Sequence, residues 1–355
     1  MGTSYRVLGL ASSARRLGID VHIILPGLPE NRKWFPDAQY EGVPIHFTRC
    51  GTLGEIRDKY RILRSLRPQF VHCVEVILKC FPVCVAYRAT HRCELIVDLD
   101  EHLSRITSYG RLRQWYFRFA ETFAKFYADR LVVASRFLEK WFGRPGRQPL
   151  LYLPNGVDLE YFDRQKSGWE EFKKKWEGRK VITYFGALTS HYDADIVFEA
   201  AATILARRND LVFLFVGDGE MGPVFRERAQ REGLTGGIQF CGFVPDEQVP
   251  KYLCASDVFV FPIRDNWWNR ARCPGKVYHF TAAMVPVVTN PVGEVREALG
   301  NCAWYFKDGD TPDLIRVLDE CLAANDNRSC LTREFAEKHS WEKRAGDYLR
   351  FLQNA

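Results

Sequence analysis

No run of this 355-residue sequence approaches the roughly 18 consecutive apolar residues that a membrane-spanning helix requires. The first twenty residues also lack the charged head and apolar centre of a secretory signal, and carry an amphipathic pattern instead. An excess of one charge is missing too: 50 Lys+Arg against 44 Asp+Glu leave +6, too small and too dispersed to mark a nucleic-acid partner. The eleven cysteines include no CxxC pair and no Cys/His spacing of a zinc site. Several of them (Cys73, Cys80, Cys84, Cys241, Cys254) sit in apolar stretches and read as small core residues in a reducing compartment. With 46% apolar and 26% charged residues, the composition excludes disordered, collagen-like and coiled-coil chains. A cytosolic α/β protein of about two domains is expected, with no nucleic-acid partner and no metal.

What is present is an alternation of short buried strands and longer helical patterns. Strands are expected at 21–25, 70–73, 95–99, 130–134 and 150–153, then at 181–185, 211–216, 238–241, 258–262 and 287–289. Their nearly continuous apolar runs suit parallel sheets covered by helices on both faces, as two Rossmann-like domains facing across a cleft would be. The polar, Lys-rich stretch 165–180 reads as the linker, giving domains 1–165 and 166–338 and a closing helix 339–355 that packs back toward the first. Residues 5–17 place Val7, Leu10, Ala11, Ala14 and Leu17 on one helical face, so a helix opens the chain where a first strand is expected. Met1-Gly2-Thr3-Ser4 then reads as the tail of a strand-to-helix loop capped by Thr3 or Ser4. The expectation is either an upstream strand in the reading frame or an inactive, marginally stable first domain. Asn155-Gly156 reads first as a turn, since both residues tolerate positive φ.

The segment Leu153-Pro154-Asn155-Gly156-Val157-Asp158, with Phe162 beyond it, resembles the PNGVDxxxF signature of glycosyltransferase family 4, retaining enzymes of the GT-B fold. The resemblance runs on through Gly186-Ala187-Leu188, Val216-Gly217-Asp218-Gly219-Glu220, Phe240-Cys241-Gly242-Phe243-Val244, Pro286-Val287-Val288 and Ser340-Trp341-Glu342. It implies a metal-independent enzyme without cofactor. Such an enzyme moves a sugar from a nucleotide-sugar, UDP- or GDP-linked, to a glycan, lipid or small-molecule acceptor. By the same resemblance Gly186, Gly242, Phe243, Val244, Gly293 and Glu294 line the nucleotide pocket of the second domain, and Gly2 belongs to the loop that reaches the donor phosphates. Asp100, Glu101 and His102, after Asp98-Leu99, stand where the family's acidic, His-containing loop faces donor sugar and acceptor. A carboxylate there steadies oxocarbenium-like charge or orients the acceptor hydroxyl, unless it only caps the next helix.

The sequence departs from the family at the donor. His279 and Ala271 stand where relatives carry two glutamates, Met284 replaces a glycine, and Ala187 and Tyr192 replace a diphosphate-binding Arg and Lys. Cations are offered instead by Arg270, Arg272 and Lys276, the last matching the lysine of a PxKxxEYMAxGxPVV variant. These substitutions keep a second reading open, a catalytically impaired nucleotide- or glycan-binding protein or a partner subunit, and a third and weaker one, a nucleotide-sugar epimerase. Trp267-Trp268 either stacks on a ligand or fills a gap. Between 111 and 130, Leu112, Trp115, Tyr116, Phe119, Phe123, Phe126 and Tyr127 alternate with Arg111, Arg113, Arg118, Lys125 and Arg130. Such a stretch is either a core helix with a solvated basic face or a peripheral contact with the inner membrane surface.

Overall fold

The computed structural model describes residues 2–106, 108–143, 148–189, 193–324 and 330–354. The chain forms two compact units, one of Met1–Gly156, Arg270–Gly275 and Trp341–Ala355, the other of Val157–Asn269 and Lys276–Ser340. The stretch 165–180 is therefore not a linker. It folds onto the second unit, where Phe172 and Trp176 are buried and Phe172 meets Tyr252 edge-on at 4.6 Å. The two aromatics outweigh the lysines that made the stretch look solvated.

The second unit carries one parallel sheet of β8 (Lys180–Phe185), β9 (Leu211–Val216), β10 (Ile238–Gly242), β11 (Val258–Phe261), β12 (Val287–Thr289) and β13 (Ala303–Tyr305). Its order is β10-β9-β8-β11-β12-β13. β9 reads Leu-Val-Phe-Leu-Phe-Val and is buried at every position, as a central strand with helices on both faces requires. Strand order reverses between β8 and β11, so their carboxyl ends frame the crevice where open α/β sheets bind ligands.

The first unit holds two sheets. β1 (Ile23–Pro26), β3 (Val43–Thr48) and β2 (Gln39–Tyr40) form one; β4 (Phe70–Val74), β5 (Glu94–Leu99), β6 (Arg130–Val133) and β7 (Leu150–Tyr152) form the other. Among the described residues β1 pairs only with β3, and β4 only with β5. The opening helix Gly2–Arg16 serves both sheets: Leu10 packs with Ile96 and Val132, whereas Ala11 packs with Ile23, Val43 and Ile45. Because that helix already includes Gly2, Thr3 and Ser4 lie in its first turn and do not cap it.

β2, β3 and β13 were not anticipated; Pro44 interrupts the apolar alternation of β3, and the other two span two and three residues. Cys302 and Cys330 are joined in a disulfide, a correction to the reading of the cysteines as reduced core residues. No described helix is long and apolar enough to cross a membrane.

Candidate functional site

In the second unit the glycine turns gather at the carboxyl edge of the sheet. Gly186 follows β8, Gly217 follows β9, Gly242 closes β10, and Gly293 opens the helix Gly293–Leu299 after β12. The turns after β8 and β9 touch backbone to backbone, since a Cβ on Gly217 would collide with the Gly186 carbonyl oxygen. At Gly186 a Cβ would meet Lys276 Nζ at 2.9 Å and the Tyr184 hydroxyl at 3.0 Å. Lys276 reaches this turn from the first turn of the helix Gly275–Ala283, so its ammonium lies at the switch point between β8 and β11. Beyond β10, Phe243 is 69% exposed and Val244 is buried. Glu294 is buried at the start of its helix.

His279 lies one turn after Lys276, its ring 4.8 Å from Phe162 and 6.4 Å from Phe185. Burial, and then the Lys276 charge, push its pKa down to about 3, so the imidazole is neutral at physiological pH. A hollow of about 370 Å³ in this unit lies at the opposite edge of the sheet, where Asp257 already pairs with Lys173 at 2.7 Å. It holds none of the glycine turns.

Three residues grouped with the donor site belong to the first unit: Gly2 in the opening helix, and Arg270 and Arg272 within the segment Arg270–Gly275. That segment is tied down by its backbone. Ser135 Oγ donates to the Ala271 carbonyl at 2.6 Å, and Asn155 Nδ2 donates to the Cys273 carbonyl at 2.7 Å. Ala271, aligned with one of the two family glutamates, is fully buried in the core of the first unit. Tyr192 lies outside the described residues.

The loop after β5 is held from below. Glu75, at φ 62° just past β4, accepts hydrogen bonds on Oε1 from the Asp100 and Glu101 amides at 2.7 and 2.8 Å. Its other oxygen is buried and has no partner among the described residues. Burial, then Asp100, pushes this carboxyl well above the ordinary glutamate range. Asp100 is itself buried, and Glu101 is half-buried. His102 turns into the core, its ring 5.2 Å from Trp141 and its Nε2 3.4 Å from Glu121. Neither Asp100 nor Glu101 caps a helix: the short turn Leu103–Arg105 has His102 at its N-cap with no side-chain hydrogen bond. Asp98 is buried beneath the loop with Arg6 Nε at 2.8 Å and His72 Nε2 at 3.2 Å.

Residues 1–156 match the family model "Glycosyl transferase 4-like domain", and residues 179–324 match "Glycosyl transferases group 1". The chain belongs to glycosyltransferase family 4. It is 25% identical over 224 residues to TuaH of Bacillus subtilis, named as a teichuronic acid biosynthesis glycosyltransferase, covering 60% of this chain and 54% of that protein. It is 28% identical over 176 residues to the 2-deoxystreptamine glucosyltransferase of Streptomyces kanamyceticus, covering 48% and 44%. With the phosphatidylinositol N-acetylglucosaminyltransferase GPI3 subunit of Saccharomyces cerevisiae, identity is 22% over 223 residues, covering 62% and 48%. The chain spans about half the length of these curated relatives. Anabaena HepE, solved with UDP and glucose, matches with TM-score 0.79 at 16% identity over 100% of this chain and 96% of that one. The sucrose-phosphate synthase of Thermosynechococcus elongatus matches with TM-score 0.78 at 15% identity over 98% and 92%. The fold is GT-B.

Neither Asn155 nor Gly156 has positive φ, which corrects the turn reading. Gly156 is required by close approach instead: a Cβ there would stand 2.9 Å from the backbone nitrogen of Trp341. Within the first unit Gly156 packs on Trp341, with the Tyr5 hydroxyl donating to the Gly156 carbonyl at 3.0 Å. Glu75 is the residue that sequence reasoning missed. A lone glutamate after a strand carries no spacing signal, and its importance comes from the loop that folds over it.

Proposed function

We propose that this family 4 chain transfers a sugar, with retention, from a UDP- or GDP-linked donor to a glycan, lipid or small-molecule acceptor. The observation that carries this reading is Lys276 Nζ set against the Gly186 turn at the switch point of the second sheet. A fixed cation beside a glycine turn, at the start of a helix, suits a diphosphate leaving group and supplies electrostatic stabilisation as its charge develops. Gly242 and Val244 shape the nucleotide wall, with Phe243 open to stack on a base. Gly293 and Glu294 border the same edge, and neutral His279, whose ring nitrogens are buried, would meet a ribose hydroxyl only by turning its ring toward the turn. Arg270 and Arg272 are auxiliary cations, and Gly2 is the donor-side end of the opening helix. In the first unit Asp100 and Glu101 steady positive charge on the sugar or orient the acceptor hydroxyl, with His102 anchoring their loop in the core. No metal enters this scheme.

The helix Arg111–Tyr127 supports a lipid-borne acceptor. Leu112, Trp115, Phe119 and Phe126 are 86%, 70%, 60% and 61% exposed along one face, beside exposed Arg111, Arg113 and Arg118. That pattern suits an anionic lipid surface. A second reading, nucleotide or glycan binding without turnover, is favoured by Ala271, whose place in the first unit's core leaves no carboxylate at that family position. Calorimetric titration with UDP and GDP, with and without EDTA, combined with an assay of donor hydrolysis, separates the two. Metal-independent binding with slow sugar release supports transfer, and binding without release supports the second reading. Strict dependence on a divalent ion would count against both.

A further inference from the structure

Beneath the loop that carries Glu75, the chain brings together three cysteines that the sequence spaces as C-x6-C-x3-C. Cys73 stands on β4, Cys80 is the N-cap of the helix Phe81–Thr90, and Cys84 lies one turn inside it. Their Sγ atoms all lie within 4.8 Å of one another, with Cys73 and Cys80 at 3.7 Å. All three are free thiols; Cys73 and Cys84 are buried and Cys80 is partly open. Among the described residues no other group of three His, Cys, Asp or Glu side chains is close enough to share an ion.

We propose that Cys73, Cys80 and Cys84 form a three-thiolate binding site for a thiophilic divalent cation of the zinc class. Zinc–sulfur bonds of about 2.3 Å hold their sulfurs roughly 3.8 to 4.0 Å apart, so the thiols need only a small contraction to close on an ion. Sulfur donors exclude magnesium and calcium, which take oxygen ligands. Charge selects the divalent ion. Three buried thiolates with a divalent ion leave one net negative charge, beside the Lys59 ammonium of the neighbouring helix, which the Glu55 carboxylate shares at 2.6 Å. A univalent ion would leave two. Cys80 is the least buried of the three residues, so the ion enters on its side, and a water completes the coordination. Binding forms three sulfur–metal bonds as three thiol protons pass to solvent, with no oxidant involved.

The site ties the end of β4 to the start of the next helix. Cys73 stands two residues before Glu75, so an ion here fixes the strand end that leads into the residue holding the Asp100 and Glu101 amides. The reduced full chain in metal-free buffer is titrated with Zn2+ against a chromophoric chelator, and separately with Cd2+ as a spectroscopic probe. One ion per chain is expected, together with thiolate-to-Cd2+ charge-transfer absorption. Zn2+ should also slow alkylation of Cys80, read by peptide mass spectrometry, and leave the exposed Cys50 unaffected. Cys80→Ser should abolish the absorption band, and Cys241→Ser should retain it. A band that survives Cys80→Ser, or alkylation of wild-type Cys80 at the same rate with and without Zn2+, overturns the proposal. The alkylation arm needs no variant, so a folding defect cannot rescue the idea. A parallel Cu+ titration that binds where Zn2+ does not would overturn the divalent assignment.

Discussion

Lys276 and Glu75 show how much a single side chain does here through position. Lys276 is the cation whose ammonium adjoins the Gly186 turn. Lys276→Ala should weaken UDP or GDP binding by about 1 to 3 kcal/mol, the scale of a charge-assisted hydrogen bond, with little change in melting temperature. Calorimetry checks it, and unchanged affinity would move the role to Arg270 or Arg272. Glu75 and His279 titrate with opposite consequences for stability. The Glu75 carboxyl is held above its unfolded value of 4.5, so its contribution is fully present below that pH. The contribution is lost as pH rises toward the raised folded value, at up to about 1.4 kcal/mol per pH unit. The His279 imidazole is held down near about 3 against 6.5 unfolded, so its contribution is present above pH 6.5 and is lost as pH falls. Glu75→Gln keeps an acceptor for the Asp100 and Glu101 amides without the ionisation. It should therefore melt higher than the wild type at pH 8, with the gap closing toward pH 4.5. Melting curves across pH test this, and a constant gap would show that Glu75 is ionised in the fold.

At the scale of elements the helix Arg111–Tyr127 has two faces. Phe117, Ala120, Glu121 and Ala124 are buried inward, while Trp115 and Phe119 stack at 6.3 Å on the outside. Replacing Trp115 and Phe119 together by Ser removes exposed apolar area and, inward, only the stack of Phe119 on Phe123 at 6.1 Å. It should leave the melting temperature within about 1 kcal/mol of stability while abolishing flotation with vesicles rich in anionic lipid. Retained flotation would place lipid contact elsewhere or nowhere. The sequence could not choose between the two readings of this helix because aromatics recur on both faces. It did reveal ten of the strands, since continuous runs such as 211–216 allow little else. The turns of the second sheet were legible for the same reason, as glycines that directly follow buried strands. Whatever depended on long-range closure was not legible. Ala271 and Cys273 fold with the first unit through hydrogen bonds to Ser135 and Asn155, and Glu75 matters only once the loop after β5 lies over it. The stretch 165–180 misled because its lysines outnumber the two aromatics that anchor it.

At the scale of the whole molecule the two units differ in how their cores are built. The second has six strands in one parallel sheet that is apolar on both faces, with Phe213 and Phe215 buried on one and Val212 and Leu214 on the other. The first divides its strands between two sheets. Strands paired on one side only, as β1 and β4 are among the described residues, have fewer ladder bonds to break before they open. The first unit should therefore open at lower free energy than the second, and unfolding should not be a single two-state transition. Nucleotide, if its site lies in the second unit, acts on one side of that imbalance. At a hundredfold its dissociation constant, UDP or GDP should add about 2.7 kcal/mol to that unit. Hydrogen exchange with and without nucleotide reads both effects at once. Amides of β1 and β4 should exchange before those of β8, β9 and β11, and nucleotide should slow the second group while leaving the first unchanged. Equal protection in both units without nucleotide would show that the open ladder edges of the first unit cost it nothing. Slowing confined to β1 and β4 would move the nucleotide site out of the second unit, and with it the role given to Lys276.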